Sequence, residues 1–176
     1  MSLAGPLAPA AVADRLAAGA EVVAALLSGV SEEQARFKPD PGHWSMLEVI
    51  NHLADEEAED FRLRLRLTLA KTAEAWPAID PAGWPVARRY RERDLGESLA
   101  RFRRERAASV AWLREAGTLD LDATYAHPTL GAIRAGDLIA SWLAHDLIHV
   151  RQLTRLRYRW LERAAAPYRL DYAGPF

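Results

Sequence analysis

Apolar residues recur every three or four positions in four long stretches of this chain, and the stretches are separated by proline and glycine. They cover about residues 9–28, 45–71, 94–117 and 134–163. This spacing places the apolar side chains on one face of an α-helix. Four such helices bury their apolar faces most simply against one another. We therefore predict an all-α four-helix bundle, and 176 residues fit one domain spanning residues 1–176.

The second stretch has the clearest helix start. Ser45 is a candidate N-cap with Glu48 three residues later, and Trp44 and Val49 occupy the positions of a hydrophobic staple. Residues 61–67 alternate leucine or phenylalanine with arginine, as a strand would. We still predict a helix, because leucine and arginine are good helix formers and no proline or glycine interrupts the segment. No strand is predicted, and residues 72–93 and 117–133 are expected to be long connections.

Composition and charge exclude several classes of function. The formal net charge is −1, without the basic footprint that nucleic-acid binding usually needs. No apolar run approaches the ~20 residues that cross a bilayer, and no basic segment followed by an apolar stretch opens the chain. We expect a cytoplasmic protein that binds neither nucleic acid nor membrane. The chain has no cysteine, so any thiol chemistry needs a thiol co-substrate.

Three histidines form the candidate metal site. His145 and His149 are four residues apart on a predicted helix, so both rings lie on one face. Chance pairs with this spacing are common, but His52 lies in the apolar stripe of the second helix. One ion would satisfy three buried rings at once. Three imidazoles with an open position are typical of a catalytic site, and nitrogen ligands favour zinc or nickel.

Acidic residues near these histidines have several interpretations. Glu56 continues the stripe of Val49 and His52, which we expect to extend to Leu63 and Leu67. Glu56 could be a fourth ligand, a catalytic general base or a partner that fixes a ring tautomer, or it could form an ion pair with an arginine. Asp55 and Glu59 should face partly away, and Asp146 is expected to orient a group or form a salt bridge.

Three residues are candidates for contact with substrate. Trp142 lies on the same helix face as His145 and His149, and Arg151, which is close to His149 in sequence, could meet an anionic substrate. Trp84 is placed to line a pocket mouth. The alternatives are packing beneath a loop for Trp84 and a surface position for Arg151. His43 and His127 are expected to be ordinary loop histidines.

Two sequence motifs resemble the signatures of the DinB-like superfamily of metalloenzymes. The first is Pro41-Gly-His-Trp-Ser45 followed by Val49-Ile-Asn-His-Leu-Ala-Asp55, and the second is His145-Asp-Leu-Ile-His149-Val-Arg-Gln-Leu153. The resemblance covers about residues 9–157. It implies up-down-down-up order with a long crossover connection, a divalent metal on His52, His145 and His149, and a homodimer. Relatives include transferases that use a low-molecular-weight thiol such as bacillithiol or mycothiol.

Three functions follow as expectations. The first is a metal-dependent thiol S-transferase that activates a small thiol for transfer to a small-molecule substrate. The second is a metal-dependent hydrolase that uses water, with Glu56 as the base. The third is a non-catalytic metal-binding or small-molecule-binding protein of the stress response, in which the ion serves stability.

Overall fold

Helices account for most of the structure. A computed structural model describes residue 5, residues 7–72 and residues 74–176. In chain order its elements are α1 (Pro9–Leu27), α2 (Glu32–Arg36), α3 (Met46–Asp55), a π-helical turn (Glu56–Phe61), α4 (Arg62–Ala70), α5 (Trp84–Ala87), a 3-10 turn (Tyr90–Glu92), α6 (Leu95–Glu115), β1 (Thr124–His127), β2 (Gly131–Arg134), α7 (Ala135–Ala165) and a second 3-10 turn (Asp171–Ala173). Within the described residues, no helix is both long and apolar enough to cross a membrane.

The predicted helix boundaries are confirmed at the strongest signals. The Ser45 hydroxyl accepts a bond from the Glu48 amide, and the Glu48 carboxylate accepts one from the Ser45 amide, which completes the capping box. Asp94 caps α6 by accepting from the Glu97 amide at 2.8 Å. Each of these side chains binds an amide that has no partner within the helix.

Side-chain contacts show that α1 lies between α6 and α7. Ion pairs join Arg114 to Asp14 and Arg103 to Glu21, so α6 runs antiparallel to α1. By contrast, Asp146 on α7 lies beside Gly19 of α1, and Arg157, eleven residues further along α7, donates to the Leu26 carbonyl at 2.8 Å. The helix α7 therefore runs parallel to α1.

The helix formed by α3, the π-helical turn and α4 packs on the other side of α6 and α7. It runs parallel to α6, because Asn51 donates to Ser98 and Arg62 donates to Glu105 further along both helices. Together these directions give the up-down-down-up order that the resemblance implied. Because α4 and α6 belong to consecutive long helices of the bundle and run in the same direction, the connection between them must return along the length of the helix. Residues 71–94 form this connection.

The π-helical turn corrects the predicted apolar stripe. The alternating residues 61–67 are helical, as predicted, but Leu65 is fully buried whereas Leu63 and Leu67 are only partly buried. A π-helical turn takes up an additional residue and so rotates the following helix. The stripe of Val49, His52 and Glu56 therefore does not continue to Leu63 and Leu67.

A β-hairpin in the connection 117–133 contradicts the prediction that the chain has no strand. β1 and β2 pair antiparallel, with Tyr125 opposite Ile133 and His127 opposite Gly131. Gly131 has φ +76°, a conformation that glycine adopts without a steric penalty. The other long connection, 72–93, is helical in part, and its residue 73 lies outside the described residues.

Two apolar clusters fill the two ends of the bundle, and a layer of charge separates them. One cluster centres on Leu53 and Phe102, the other on Leu16 and Trp142. Arg106, whose side chain is 3% exposed, lies between them. Its guanidinium binds a residue from each of the other three bundle helices.

All three nitrogens of the Arg106 guanidinium make short polar contacts. It donates to the Leu16 carbonyl on α1 at 2.9 Å and to both Asp146 oxygens on α7 at 2.6 and 2.7 Å. Its Nε lies 3.0 Å from a carboxylate oxygen of Glu57 in the π-helical turn. At the same level Gly19 lies so close to Asp146 that a Cβ would be 2.6 Å from the carboxylate.

We expect Arg106→Leu to lower the free energy of unfolding by about 3–5 kcal/mol, because Glu57 and Asp146 would remain buried without their counter-charge. The matched control is Arg103→Leu on the same helix, where a half-exposed arginine pairs with exposed Glu21. The control should cost less than about 1 kcal/mol. Urea unfolding at pH 7 measures both, and equal costs would contradict a central role for Arg106.

Candidate metal centre

The three predicted ligand histidines converge on one point between α3 and α7. The Nε2 atom of His145 lies 3.2 Å from Nε2 of His52 and 3.1 Å from Nε2 of His149. Tetrahedral coordination at ~2.0–2.1 Å separates ligand nitrogens by about 3.3 Å. The helical spacing of His145 and His149 and the packing of α3 on α7 therefore reproduce the ligand spacing of a single ion.

All three imidazoles are neutral in this setting. Burial, followed by the neighbouring His149, lowers the pKa of His52 to about 3. Burial together with His149, His52 and Arg106 lowers the pKa of His145 to about 2, and burial also lowers the pKa of His149. Metal binding needs the unprotonated ring, so these rings are ready as ligands at pH 7.

One ring has a partner that fixes its orientation. The Nδ1 atom of His149 lies 2.8 Å from the side-chain oxygen of Gln152. That oxygen only accepts, so Nδ1 carries the proton and the lone pair of Nε2 faces the other two histidines. His52 Nδ1 is buried and has no hydrogen-bond partner among the described residues. The donor set thus fits a divalent ion through its three Nε2 atoms.

Aromatic rings enclose the histidines. Trp44 stacks parallel to His149 with ring centroids 6.4 Å apart and lies 4.8 Å from His52. Phe61 lies 5.1 Å from His145 and stacks on Trp142 at 5.7 Å. These walls lower the local dielectric constant and strengthen the interaction of the nitrogens with a cation.

Comparison with known proteins agrees with this geometry. The sequence model of the DinB superfamily matches residues 15–153, which include all three histidines. The chain belongs to the DinB superfamily.

Two relatives of this DinB protein indicate how far the similarity extends. A protein of Oceanobacillus iheyensis described as a "Putative metal-dependent hydrolase" is 27% identical over 128 residues, 72% of this chain and 73% of the relative. YfiT from Bacillus subtilis, a four-helix bundle of unusual topology, superposes with a TM-score of 0.74 over 85% of each chain at 22% identity. The second match confirms the fold.

Asp55, in the first signature, joins three parts of the fold, whereas the sequence predicted only that it faces partly away from the stripe. Its carboxylate is fully buried and accepts a bond from Arg88 at 2.6 Å, while Tyr90 and Arg101 also bind it. Arg88 and Tyr90 belong to the long connection and Arg101 to α6. Asp55 therefore ties both to α3 one turn after His52. Glu59 lies nearer the surface and shares Arg88.

Glu56 does not join the histidine nitrogens. The ligand atoms that lie within 4.8 Å of one another, among the described residues, come from the three histidines alone. Glu56 is buried near Asp60 and Arg64, and burial, followed by a hydrogen bond with Asp60, raises its pKa to about 8. Its predicted role as an acid–base group stays a prediction.

The predicted substrate contacts lie in different settings. Trp142 is 1% exposed and donates its indole N–H to Glu57 at 3.0 Å, so it belongs to the core beneath the site. Trp84 is 6% exposed and is covered by the Arg88 guanidinium at 4.1 Å. Arg151 is exposed on α7 and lines a groove next to Gln152. Of the three, the structure gives only Arg151 an open position.

The remaining histidines lie outside the centre. His43 is exposed and pairs with Asp40, while His127 lies in the hairpin, where its Nδ1 accepts from the amides of Thr129 and Leu130. Asp146, adjacent to His145, forms the predicted salt bridge, with Arg106 as partner.

Sequence reasoning missed two wall residues. Trp44 was assigned only as a hydrophobic staple, although its place in the first signature was a signal. Phe61 enters the sequence analysis only as the first residue of the alternating segment 61–67, and nothing in the sequence marks the π-helical turn that directs it at His145.

We expect the purified protein to bind about one divalent ion per chain, and His145→Ala to lower that content at least tenfold, because His145 Nε2 lies between the other two nitrogens. Elemental analysis after dialysis measures the content. His127→Ala, a hairpin histidine, is the matched control and should retain the ion. Equal metal content in all three proteins would reject the site.

We expect the stability that Asp55 contributes to depend on pH. Burial alone would raise its pKa, but hydrogen bonds from Tyr90, Arg101 and Arg88 lower it below the ordinary 3.8. A depressed folded-state pKa stabilises the fold above the unfolded pKa, and this contribution is lost as pH falls through the folded value.

Asp55→Asn should therefore cost about 3 kcal/mol at pH 7, and the difference from the wild type should narrow below pH 3.8. Glu59→Gln, which changes the other carboxylate on Arg88, should cost less than about 1 kcal/mol. Urea unfolding at several pH values measures both variants. A difference that stays constant down to pH 3 would exclude titration of Asp55 as its cause.

Proposed function

We propose that this DinB protein is a divalent-metal-dependent enzyme that activates a small nucleophile at the three-histidine centre. The observation that carries the proposal is the convergence of three Nε2 atoms beside aromatic rings, with His145 Nε2 3.2 Å from that of His52 and 3.1 Å from that of His149. Zinc or nickel suits three imidazole nitrogens best. Three protein ligands leave at least one coordination position for a reactant, unlike a closed structural site.

The ion supplies a Lewis acid, which makes water or a thiol nucleophilic near neutral pH. The protein's own residues supply the remainder. Gln152 holds His149 in the tautomer that presents Nε2. Trp44 and Phe61 limit access of bulk water to the rings. Asp146 follows the ligand His145 directly, and its ion pair with Arg106 fixes the position of α7. Asp55 lies one turn after the ligand His52, and its ion pairs with Arg88 and Arg101 fix the position of α3.

Glu56 is the candidate for proton transfer. It lies one helical turn after His52, and its pKa of about 8 keeps the carboxyl group largely protonated at pH 7. One of its oxygens is buried and unpartnered among the described residues. A carboxyl group with a pKa near the working pH can give up and take back a proton efficiently.

Hydrolysis is the reaction that this arrangement favours. Attack by water requires removal of a proton and its delivery to the leaving group. The ionised fraction of Glu56 can take the proton from water, and the protonated carboxyl group that results can give it to the leaving group. The curated relative from Oceanobacillus iheyensis and the description of YfiT as a probable metal-dependent hydrolase support the same reading. The substrate would be a small molecule.

Thiol S-transfer is the second candidate. The chain has no cysteine of its own to compete for the ion or for an electrophile, and a low-molecular-weight thiol would arrive as co-substrate. A thiol ionises more readily than water, so this reaction depends less on Glu56.

We expect Glu56→Gln to keep the metal but to lower hydrolysis about 10²- to 10⁴-fold, because amide nitrogen and oxygen cannot exchange the proton. The assay uses metal-loaded protein with a panel of ester and amide substrates, and with small thiols plus an electrophile. Glu59→Gln, three residues on, is the control and should retain full activity.

The outcomes separate the two reactions. Loss of hydrolysis in Glu56→Gln supports the water reaction, and thiol conjugation that survives the substitution supports S-transfer. Inactivity of the wild type on both panels, with chelation lowering the melting temperature, would favour the third reading, in which the ion serves stability alone.

The expected homodimer, the cytoplasmic location and the absence of nucleic-acid and membrane partners stay predictions. Leu147 on α7, which is 71% exposed, is an apolar residue that a second subunit would cover. Sedimentation equilibrium of the metal-loaded protein tests the dimer.

A further inference from the structure

A groove on the outer face of α7 lies on the far side of His149 from the ligand nitrogens. Its volume is about 790 Å³, and its lining includes Ile148, Arg151, Gln152, Arg155, Tyr158 and Phe176. The side-chain oxygen of Gln152 accepts the hydrogen bond from His149 Nδ1, so the groove and the metal centre share one wall.

Three arginines form a row along this groove. Arg151, Arg155 and Arg159 follow at intervals of four residues and are all exposed, which spaces them about 6 Å apart along the helix. Arg159 pairs with Glu162 at 2.7 Å. Among the described residues no carboxylate lies within 4.0 Å of Arg151 or Arg155, so two positive charges at the groove are not neutralised.

The groove has an apolar end as well. Tyr158 and Phe176 stack with parallel rings 4.2 Å apart, and Ile148 is half exposed at the opposite end. A smaller adjoining cavity is lined by Asp40, whose carboxylate contacts the His43 ring. The surface thus combines paired guanidinium groups with an aromatic face.

We propose that this groove is a binding site for a small organic anion that carries a carboxylate or phosphate head group and an apolar or aromatic body. Arg151 and Arg155 would bind the head group, because guanidinium groups bind planar carboxylates and phosphates through paired hydrogen bonds. Tyr158 and Phe176 would pack against the body.

The site is distinct from the open position of the ion. An occupant reaches the outer side of Gln152, whereas the reactant of the proposed enzyme meets the Nε2 side of His149. A bound anion would therefore contact the residue that sets the tautomer of His149 and would couple to the centre through it. Binding itself does not require the proposed reaction.

A small molecule fits the groove better than an anionic membrane surface. The row of arginines spans only about 12 Å, and the groove is concave with the carboxylate of Glu162 on its rim. Membrane-binding surfaces need a longer basic face.

The test is calorimetric titration with inorganic phosphate and with phenyl phosphate at low salt. Wild-type protein, as purified, should bind phenyl phosphate saturably and several-fold more tightly than inorganic phosphate. The double variant Arg151→Ala with Arg155→Ala should lose at least tenfold in affinity. Arg104→Ala is the matched control, because Arg104 is an exposed arginine on α6 with no carboxylate within 4.0 Å among the described residues.

Each remaining outcome has a defined meaning. His145→Ala should retain phenyl phosphate binding, and loss of binding there would place the phosphate on the ion and overturn the groove. Equal losses in the double variant and in Arg104→Ala would show non-specific charge attraction. Absence of saturable binding, or binding only to vesicles of anionic phospholipid, would also overturn the proposal. Metal content of each variant, measured separately, keeps this result distinct from that of the proposed enzyme.

Discussion

Arg106 is the interaction on which the rest of the molecule depends. Its guanidinium binds the Leu16 carbonyl, Asp146 and Glu57, so one side chain on α6 meets the other three helices of the bundle. Burying these charges costs solvation free energy that a leucine core would not. These contacts are directional, so sliding or rotating any one helix would leave a buried polar group without its partner.

This directional layer explains why the histidines meet. Asp146 is the residue after His145, and Glu57 follows His52 by five positions, so each ligand-bearing helix is anchored to Arg106 close to its ligand. Apolar packing alone tolerates small shifts, whereas the nitrogens of an ion's coordination sphere must meet within a few tenths of an ångström. Asp55 repeats the arrangement on α3, with Arg88, Tyr90 and Arg101 as partners.

The sequence predicted well what depends on local pattern. Helix ends with side-chain caps, such as Ser45 and Asp94, and the spacing of His145 and His149 are properties of neighbouring residues. His52 lies beside the other two histidines, as expected for a histidine in an apolar stripe that needs a partner, and its role as a ligand stays a prediction. The predictions that were wrong concern features that depend on contacts between residues distant in sequence or on small differences in free energy.

The hairpin of β1 and β2 was not predicted, because strands of four residues contain too few alternating positions to give a recognisable strand pattern. The burial of Trp84 and Trp142 also depends on contacts between residues distant in sequence: a tryptophan at a pocket mouth and one beneath it give the same sequence pattern. Only the arrangement of Arg88 and Glu57 over them decides between the two. The donors to Asp55 are likewise distant in sequence, on Arg88, Tyr90 and Arg101. The place of Glu56 follows from the π-helical turn, which no residue type signals.

That turn at Glu56–Phe61 also separates the two halves of the long helix. A π-helical turn holds one residue more than the α-helical turn it replaces, so deleting one residue here would restore regular helix and leave the residues beyond it on their present faces. Regular helix without the deletion would instead turn everything beyond it by about 100° about the helix axis, and Phe61 and Leu65 would leave their present partners while His52, upstream, kept its place. The contact of Phe61 with His145 therefore depends on the extra residue that this turn accommodates.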